Sequence, residues 1–448
     1  MQLTGKTGGR NAQGERQFPR RVAAPFVSGE SLNMSKRSSK ELERDLEQEA
    51  KLVEIDGEFC VPVEANQARH LLDWGPFEAP RSPWDIARKL LLFVPAMFLF
   101  ILAVQLMKEG AAAVGPQIEG QFPFANGVST LGAGWLGAYF VLSGSPVAAT
   151  AISLFGAGTL TKLQAFTMLS GSRLGASFIV LLTGFLYATK QAKVQIAAGA
   201  SRADIKRGRS DSIGIGIQAM TMTAIVYLPG MVIGYAFIRA GWLDGFDLHA
   251  SGKLNAILGT LWGPIVDLVQ ENVPGWSLFL IGLGVILVSF NLIDRVLPHV
   301  SSDATASKRA AWLKHPWTMF FLGCIVATLT LSVSVALTVL VPLAAKGLIK
   351  REEALPYIMG ANITTLADTL VVAMLQPTPD AAQVVLAEAI GVTIVSLLIL
   401  AFIYKPVQRT VLRLDEYLVA KNRRLVLFVG TLFLMPIALL ATGFVYAT

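Results

Sequence analysis

The sequence predicts an all-α, polytopic membrane protein built from two inverted-topology repeats, each with a re-entrant helical hairpin and a broken helix. Four observations predict it. The chain is 53% hydrophobic and only 15% charged, where soluble domains carry about 25% charged residues. The excess apolar sequence follows residue 88, in runs long enough to cross a bilayer as helices. Residues 142–177 return without gaps at 331–366, aligning Ser143 with Ser332, Ser145 with Ser334, Leu154 with Leu343, Gly158 with Gly347, Ala165 with Ala354 and Gly171 with Gly360. The basic residues of the loops, finally, place the two copies in opposite senses.

Residues 1–87 read as a polar cytoplasmic arm with no apolar leader. Its first 33 residues have a disordered composition, and Met34 is a plausible true start. Residues 39–52 mix both charges at helical spacing and predict a solvated helix. Pro76, Pro80 and Pro83 make a stiff linker, and Trp84, Arg88 and Lys89 anchor the first span at the interface.

Residues 88–448 form the transmembrane domain. Single spans are expected at 90–107, 213–238, 276–293, 384–402 and 425–446. The loops 190–209, 294–314 and 404–424 are rich in Lys and Arg, which makes them cytoplasmic; 108–126, 239–275 and 376–383 are poor in both and lie outside. Repeat one (127–293) therefore starts outside and repeat two (317–446) starts inside, with the N-terminus cytoplasmic in an inner, or plasma, membrane. Within each repeat, two apolar stretches too short to span comfortably flank a Ser-x-Ser tip, Ser143-Gly144-Ser145 or Ser332-Val333-Ser334. A longer leg follows, with an expected break at Ser170-Gly171-Ser172-Arg173 or at 360–365.

Unwound backbone inside a bilayer costs several kcal/mol for each unpaired group and persists only where protein or a cavity satisfies it. Helix N-termini then suit an anion, while hydroxyls and carbonyls suit a small cation. That chemistry marks Ser143, Ser145, Ser172, Arg173, Ser332, Ser334 and Asn362 as substrate-binding candidates, and Thr364, Thr365 and Asp368 as cation-binding candidates. Charge at this depth costs about 2.5–3.5 kcal/mol and needs a partner. Arg173 either holds an anionic substrate while Asp368 serves the coupling cation, or the two form a salt bridge between the repeats. Glu388 reads as a residue near a span end. Close helix packing is the competing explanation for any single Ser or Gly.

Two distant cysteines and four unclustered histidines give no disulfide framework and no metal site, and paired carboxylates or nucleotide loops that would mark an enzyme are absent from the sequence. No cofactor is expected beyond a coupling sodium ion or proton. The net charge of +7 sits largely in a few loops and the arm, where topology explains it, so nucleic acid is not an expected partner; the lipid bilayer, a small inorganic anion and the coupling cation are. Oligomeric state leaves no signature.

The second block, through Ser332-x-Ser334, Pro342, Gly347, Ala354-x-Pro356 and above all MGANITT at 359–365, resembles the type II sodium–phosphate cotransporter family. That family carries a Gln-Ser-Ser-Ser motif followed by Gly-(Ser/Ala)-Asn-Ile-Gly-Thr, once in each of two inverted repeats. The resemblance implies sodium-coupled phosphate transport, with Ser143, Ser145, Ser332, Ser334, Asn362 and Thr365 at the site. The chain departs from the pattern: Leu142 and Leu331 stand for Gln, Gly144 and Val333 for the middle Ser, Arg173 for Asn, and Thr364 for Gly. The lost glutamines favour an alternative, a non-transporting regulatory or auxiliary membrane protein on the same fold.

Overall fold

A computed structural model describes residues 54–55, 58–59, 83–118, 124–197, 202–248, 252–296, 315–330, 332–345 and 349–446. The expected arm helix at 39–52 and the candidate start at Met34 lie outside the described residues. Contacts divide the chain into Met1–Ala65 and Asn66–Thr448. In the first unit, Glu54–Ile55 (β1) and Glu58–Phe59 (β2) pair antiparallel, Glu54 opposite Phe59. Asp56-Gly57, between them in sequence, is a pair favoured in two-residue hairpins.

The described part of the second unit is helical. Its elements are α1 (Pro83–Ile118), α2 (Gly127–Val141), α3 (Ser145–Gly156), α4 (Lys162–Ala176), α5 (Phe178–Ala197), α6 (Arg202–Arg239), α7 (Gly252–Asn272) and α8 (Gly275–Val296). There follow α9 (Pro316–Thr330), α10 (Val333–Thr338), α11 (Leu340–Ala345), α12 (Arg351–Thr364), α13 (Leu366–Met374), α14 (Asp380–Leu398), α15 (Tyr404–Val419) and α16 (Asn422–Tyr446). A π-turn, Ile399–Ile403, joins α14 to α15.

Among the described residues, seven stretches are long and apolar enough to cross a membrane: Leu91–Ala113, Lys162–Lys193, Gly208–Arg239, Gly275–Leu292, Arg351–Met374, Asp380–Val419 and Asn422–Val445. These are the five single spans and two long legs expected from the sequence. α16 turns Val426, Leu434 and Val445 outward, each about two-thirds exposed, which suits a lipid-facing helix.

Three expectations need correction. Residues 239–275 contain α7 rather than an open loop. Its Leu258, Trp262 and Val266, spaced four apart, pack against Leu102 and Leu106 of α1, and Trp262 stacks on Phe98 while its indole N–H donates to the Phe98 carbonyl at 3.0 Å. The basic loops at 190–209 and 404–424 are largely helical, because α5 runs to Ala197, α6 starts at Arg202, and α15 runs to Val419. The first long leg breaks at Ser177, beyond the expected Ser170–Arg173, while the second breaks at Thr365, within the expected 360–365.

The displaced first break has a physical cause. Ser170 and Ser172 sit inside α4 and return their hydroxyls to the carbonyls of Phe166 and Leu169, at 2.9 and 2.7 Å. Gly171 lets α4 approach α2 so closely that a Cβ would collide with the Leu131 carbonyl. Gly360 of α12 meets the Phe320 carbonyl of α9 in the same way, and Gly134 and Gly323 meet the carbonyls of Met168 and Tyr357. Every partner pair here keeps the 189-residue offset of the sequence repeat, so the glycines serve helix packing in both blocks. Gly171→Ala and Gly360→Ala are each expected to cost about 1–3 kcal/mol by overpacking, outweighing the roughly 1 kcal/mol that Ala gains over Gly in a helix. Gly284→Ala, where a Cβ meets open space, should be neutral or stabilising. Thermal denaturation in one detergent compares all three; equal Tm values would remove the packing explanation.

Candidate functional site

The polar centre is built from the tips of the two short-helix pairs and the middles of the long helices. α2 has 15 residues and α3 has 12, about 22 and 18 Å at 1.5 Å per residue. The chain turns between them on Leu142, which adopts φ 57° and ψ 24°. A bulky residue in this left-handed region costs about 1–2 kcal/mol. The strained residue is also the contact point, because the Leu142 carbonyl accepts a hydrogen bond from Ser334 Oγ at 3.3 Å. The two Ser-x-Ser tips therefore touch.

Ser145 opens α3, ahead of Pro146, and is buried. Ser332 caps α10, its Oγ accepting from the Val335 N–H at 3.3 Å. Ser143 lies half-buried in the first turn. Gly144 packs its Cα against the Ser172 carbonyl, so the first tip rests on α4 one residue before Arg173.

Arg173 and Asp368 meet directly. The Arg173 Nη2 lies 3.3 Å from Asp368 Oδ1, with side-chain exposures of 1% and 4%. Nη2 also donates to Thr369 Oγ1, which itself donates to Asp368 Oδ1 at 2.9 Å. The pair is only half satisfied. Arg173 Nε and Nη1 and Asp368 Oδ2 are buried without a hydrogen-bond partner in the protein.

Asn362 is 2% exposed and ties α12 to α6: its Nδ2 donates to Thr223 Oγ1 at 3.0 Å, and its carbonyl accepts from the Tyr227 hydroxyl at 2.7 Å. Thr223 shares a hydrogen of its own with Ser177 at the α4–α5 junction, at 2.6 Å. Thr365 donates to the Asn362 carbonyl at 3.2 Å, and Thr364 to the Cys324 carbonyl at 3.0 Å. Glu388 is fully buried, not at a span end, and its Oε2 lies 2.7 Å from Ser170 Oγ. It sits eight residues into α14 because that helix begins at Asp380.

Arg173, Asp368 and Asn362 thus lie in one buried polar cluster; the span that forms α6 was expected at 213–238, but its polar side chains at this cluster were not singled out. Thr223 and Tyr227 stand four apart on that helix, a polar face in an apolar span that the spacing does carry.

Two charge clusters lie at the ends of the long helices. Lys162, first in α4, reaches Gln383 at 2.6 Å, Asp380 at 3.4 Å and Asp244 at 3.9 Å. Arg351, first in α12, reaches Asp211 and Ser210 at 2.7 Å and Asp415 at 3.1 Å. Gln218 adds a bond to Asp415 at 2.8 Å. Lys162 and Arg351 keep the same 189-residue offset, and each ties the start of its leg to α6 or its following turn, and to the α14–α15 rod.

Residues 285–443 match the Na+/Pi-cotransporter family model. The match covers the second block, including MGANITT at 359–365, and the family is one of transporters, not of enzymes. With the seven apolar stretches it makes the chain a multi-pass membrane protein. Neither a curated protein nor a solved structure matches the chain.

Proposed function

We propose that the chain is a secondary active transporter of a small oxyanion, inorganic phosphate by family likeness, coupled to sodium or a proton. The observation that carries this reading is the half-satisfied Arg173–Asp368 pair. An unpartnered buried polar group costs about 1–3 kcal/mol, and more when charged. The free edge of the guanidinium, Nε and Nη1, is a donor set matched to an oxyanion. The free Asp368 Oδ2 is a hard acceptor matched to a cation. One site thus offers complementary atoms to both solutes of a symporter.

The tips supply the rest. Ser143, Ser145, Ser332 and Ser334 border the anion, with Ser172 behind the first tip and Asn362 opposite. Thr364 and Thr365 stand beside Asp368 on the cation side. Loop charge supports opposite insertion of the two repeats, with the N-terminus cytoplasmic in the plasma (inner) membrane. The shared glycine contacts support one packing unit used twice, and the lengths of α2 and α3 support a re-entrant hairpin. Under this topology Lys162 and Arg351 anchor opposite membrane faces, as the two gates of an alternating-access carrier would.

A second reading, a regulatory protein without transport, is favoured by Leu142 and Leu331 at the glutamine positions and by the Arg173 side chain filling the centre. Uptake of labelled phosphate into proteoliposomes separates the two. Accumulation is expected with an inward sodium or proton gradient and not without one. Absence of gradient-driven uptake of any oxyanion would leave the regulatory reading.

A further inference from the structure

Glu388 is a fully buried carboxyl. Among the described residues, no cation forms a salt bridge with it, Arg173 being engaged by Asp368. Its Oε1 has no hydrogen-bond partner in the protein. An ionised carboxylate in this setting would bear a desolvation cost of several kcal/mol with no salt bridge of its own to offset it. The remaining contact is informative because hydrogen atoms can be counted. Ser170 Oγ lies 2.9 Å from the Phe166 carbonyl and 2.7 Å from Glu388 Oε2. Both neighbours are acceptors if Glu388 is ionised, yet a serine hydroxyl has one hydrogen to give. That one hydrogen cannot serve both short contacts as linear bonds. Both are satisfied when the Glu388 carboxyl carries a proton and donates to Ser170 Oγ, which donates onward to Phe166.

We propose that Glu388 is a proton-binding site that holds one proton in the closed protein and exchanges it with water when the site opens. The step breaks the Oε2–H bond, leaves a carboxylate, and passes the proton to water; no other bond changes. The groups that would sense the new charge are on the helices packed around it. They are Arg173 on α4, Asp368 on α13 and Tyr227 on α6, all within electrostatic reach of one another. α3 has no ionisable residue, and those of α12 lie in its first two turns, from Arg351 to Tyr357. With the Arg173–Asp368 pair neutral overall, a protonated Glu388 makes the centre neutral, and its release leaves one negative charge for a cation to offset. The assignment of the proton stands on this geometry; its carriage across the membrane rests on the transport reading.

Infrared spectra of the full chain in lipid, titrated from acid to alkaline pH, test the proton directly. At neutral pH the carbonyl band of a protonated carboxyl is expected in the wild type, lost in Glu388→Gln, and kept but shifted in Ser170→Ala. The side-chain amide introduced by Glu388→Gln can donate the same hydrogen bond to Ser170, so this variant should unfold within a few degrees of the wild type. Absence of a Glu388-dependent band at neutral pH would overturn the proposal. A pH dye inside proteoliposomes then reads carriage during phosphate uptake. Protons that move with phosphate equally in the wild type and Glu388→Gln overturn the exchange step. Absence of phosphate uptake by the wild type overturns the transport reading instead, and the infrared band still decides the proton.

Discussion

Asp368→Ala is expected to lower the stability of the folded protein by about 3–5 kcal/mol, because it strands the Arg173 charge at 1% side-chain exposure. Arg173→Ala should cost a similar amount by stranding Asp368. The joint replacement Arg173→Met with Asp368→Leu should recover most of the loss, since apolar side chains of similar volume often replace a buried pair at no cost. Denaturation of the three variants in matched detergent gives the coupling energy of the pair. Uptake gives its meaning. If the pair only holds the two halves together, the stable double variant transports like the wild type. If Arg173 holds the anion and Asp368 the cation, the double variant folds and carries nothing. A small destabilisation in both single variants would show that water reaches the pair, against its burial.

The seven apolar stretches were legible in the sequence because hydropathy over a whole helix needs no knowledge of neighbours. The sequence self-similarity has a packing counterpart at one of its identities: Gly171 and Gly360 bear on the carbonyls of Leu131 and Phe320, where a side chain would be costly. The same residues made the first break appear too early. Ser170-Gly171-Ser172 looks like a helix breaker, but inside α4 each hydroxyl is absorbed by its own backbone and the glycine by α2. α7 escaped notice because Asn255, Asp267, Gln270 and Glu271 dilute its hydropathy, although its apolar stripe was present at helical spacing. The Arg173–Asp368 salt bridge was legible as one of two alternatives, because charge at that depth needs a partner, but the partners of Asn362 and Glu388 were not. Thr223 is 139 residues from Asn362, and Ser170 is 218 residues from Glu388, and no local pattern says which groups meet. Glu388 was misjudged because its distance to the span end was measured from Val384, whereas the helix starts at Asp380 and the acid lies about 12 Å along it.

The two charge clusters share a position in the repeat but not an environment, and that asymmetry makes a second large prediction. Arg351 holds Asp415, whose side chain is fully buried, while Lys162 is 27% exposed and its partners Asp244 and Asp380 are 68% and 48% exposed. Arg351→Gln therefore leaves an uncompensated buried carboxylate and should cost about 3–5 kcal/mol, where Lys162→Gln should cost no more than about 1 kcal/mol. Arg351→Gln with Asp415→Asn should recover much of the difference, because Gln218 can still bond the new amide. Salt adds a control, since raising it should weaken the exposed Lys162 cluster and leave the Arg351 cluster nearly unchanged. Equal costs for Lys162→Gln and Arg351→Gln would mean that Asp415 is solvated. If the clusters are gates, the unequal strengths also bias the resting state. The face closed by Arg351 stays shut until something offsets the charge it neutralises, while the face closed by Lys162 opens at little cost. Arg351→Gln should then slow gradient-driven uptake more than Arg351→Gln with Asp415→Asn does, even at a temperature where both remain folded, because the lone carboxylate resists returning to the closed, dry arrangement.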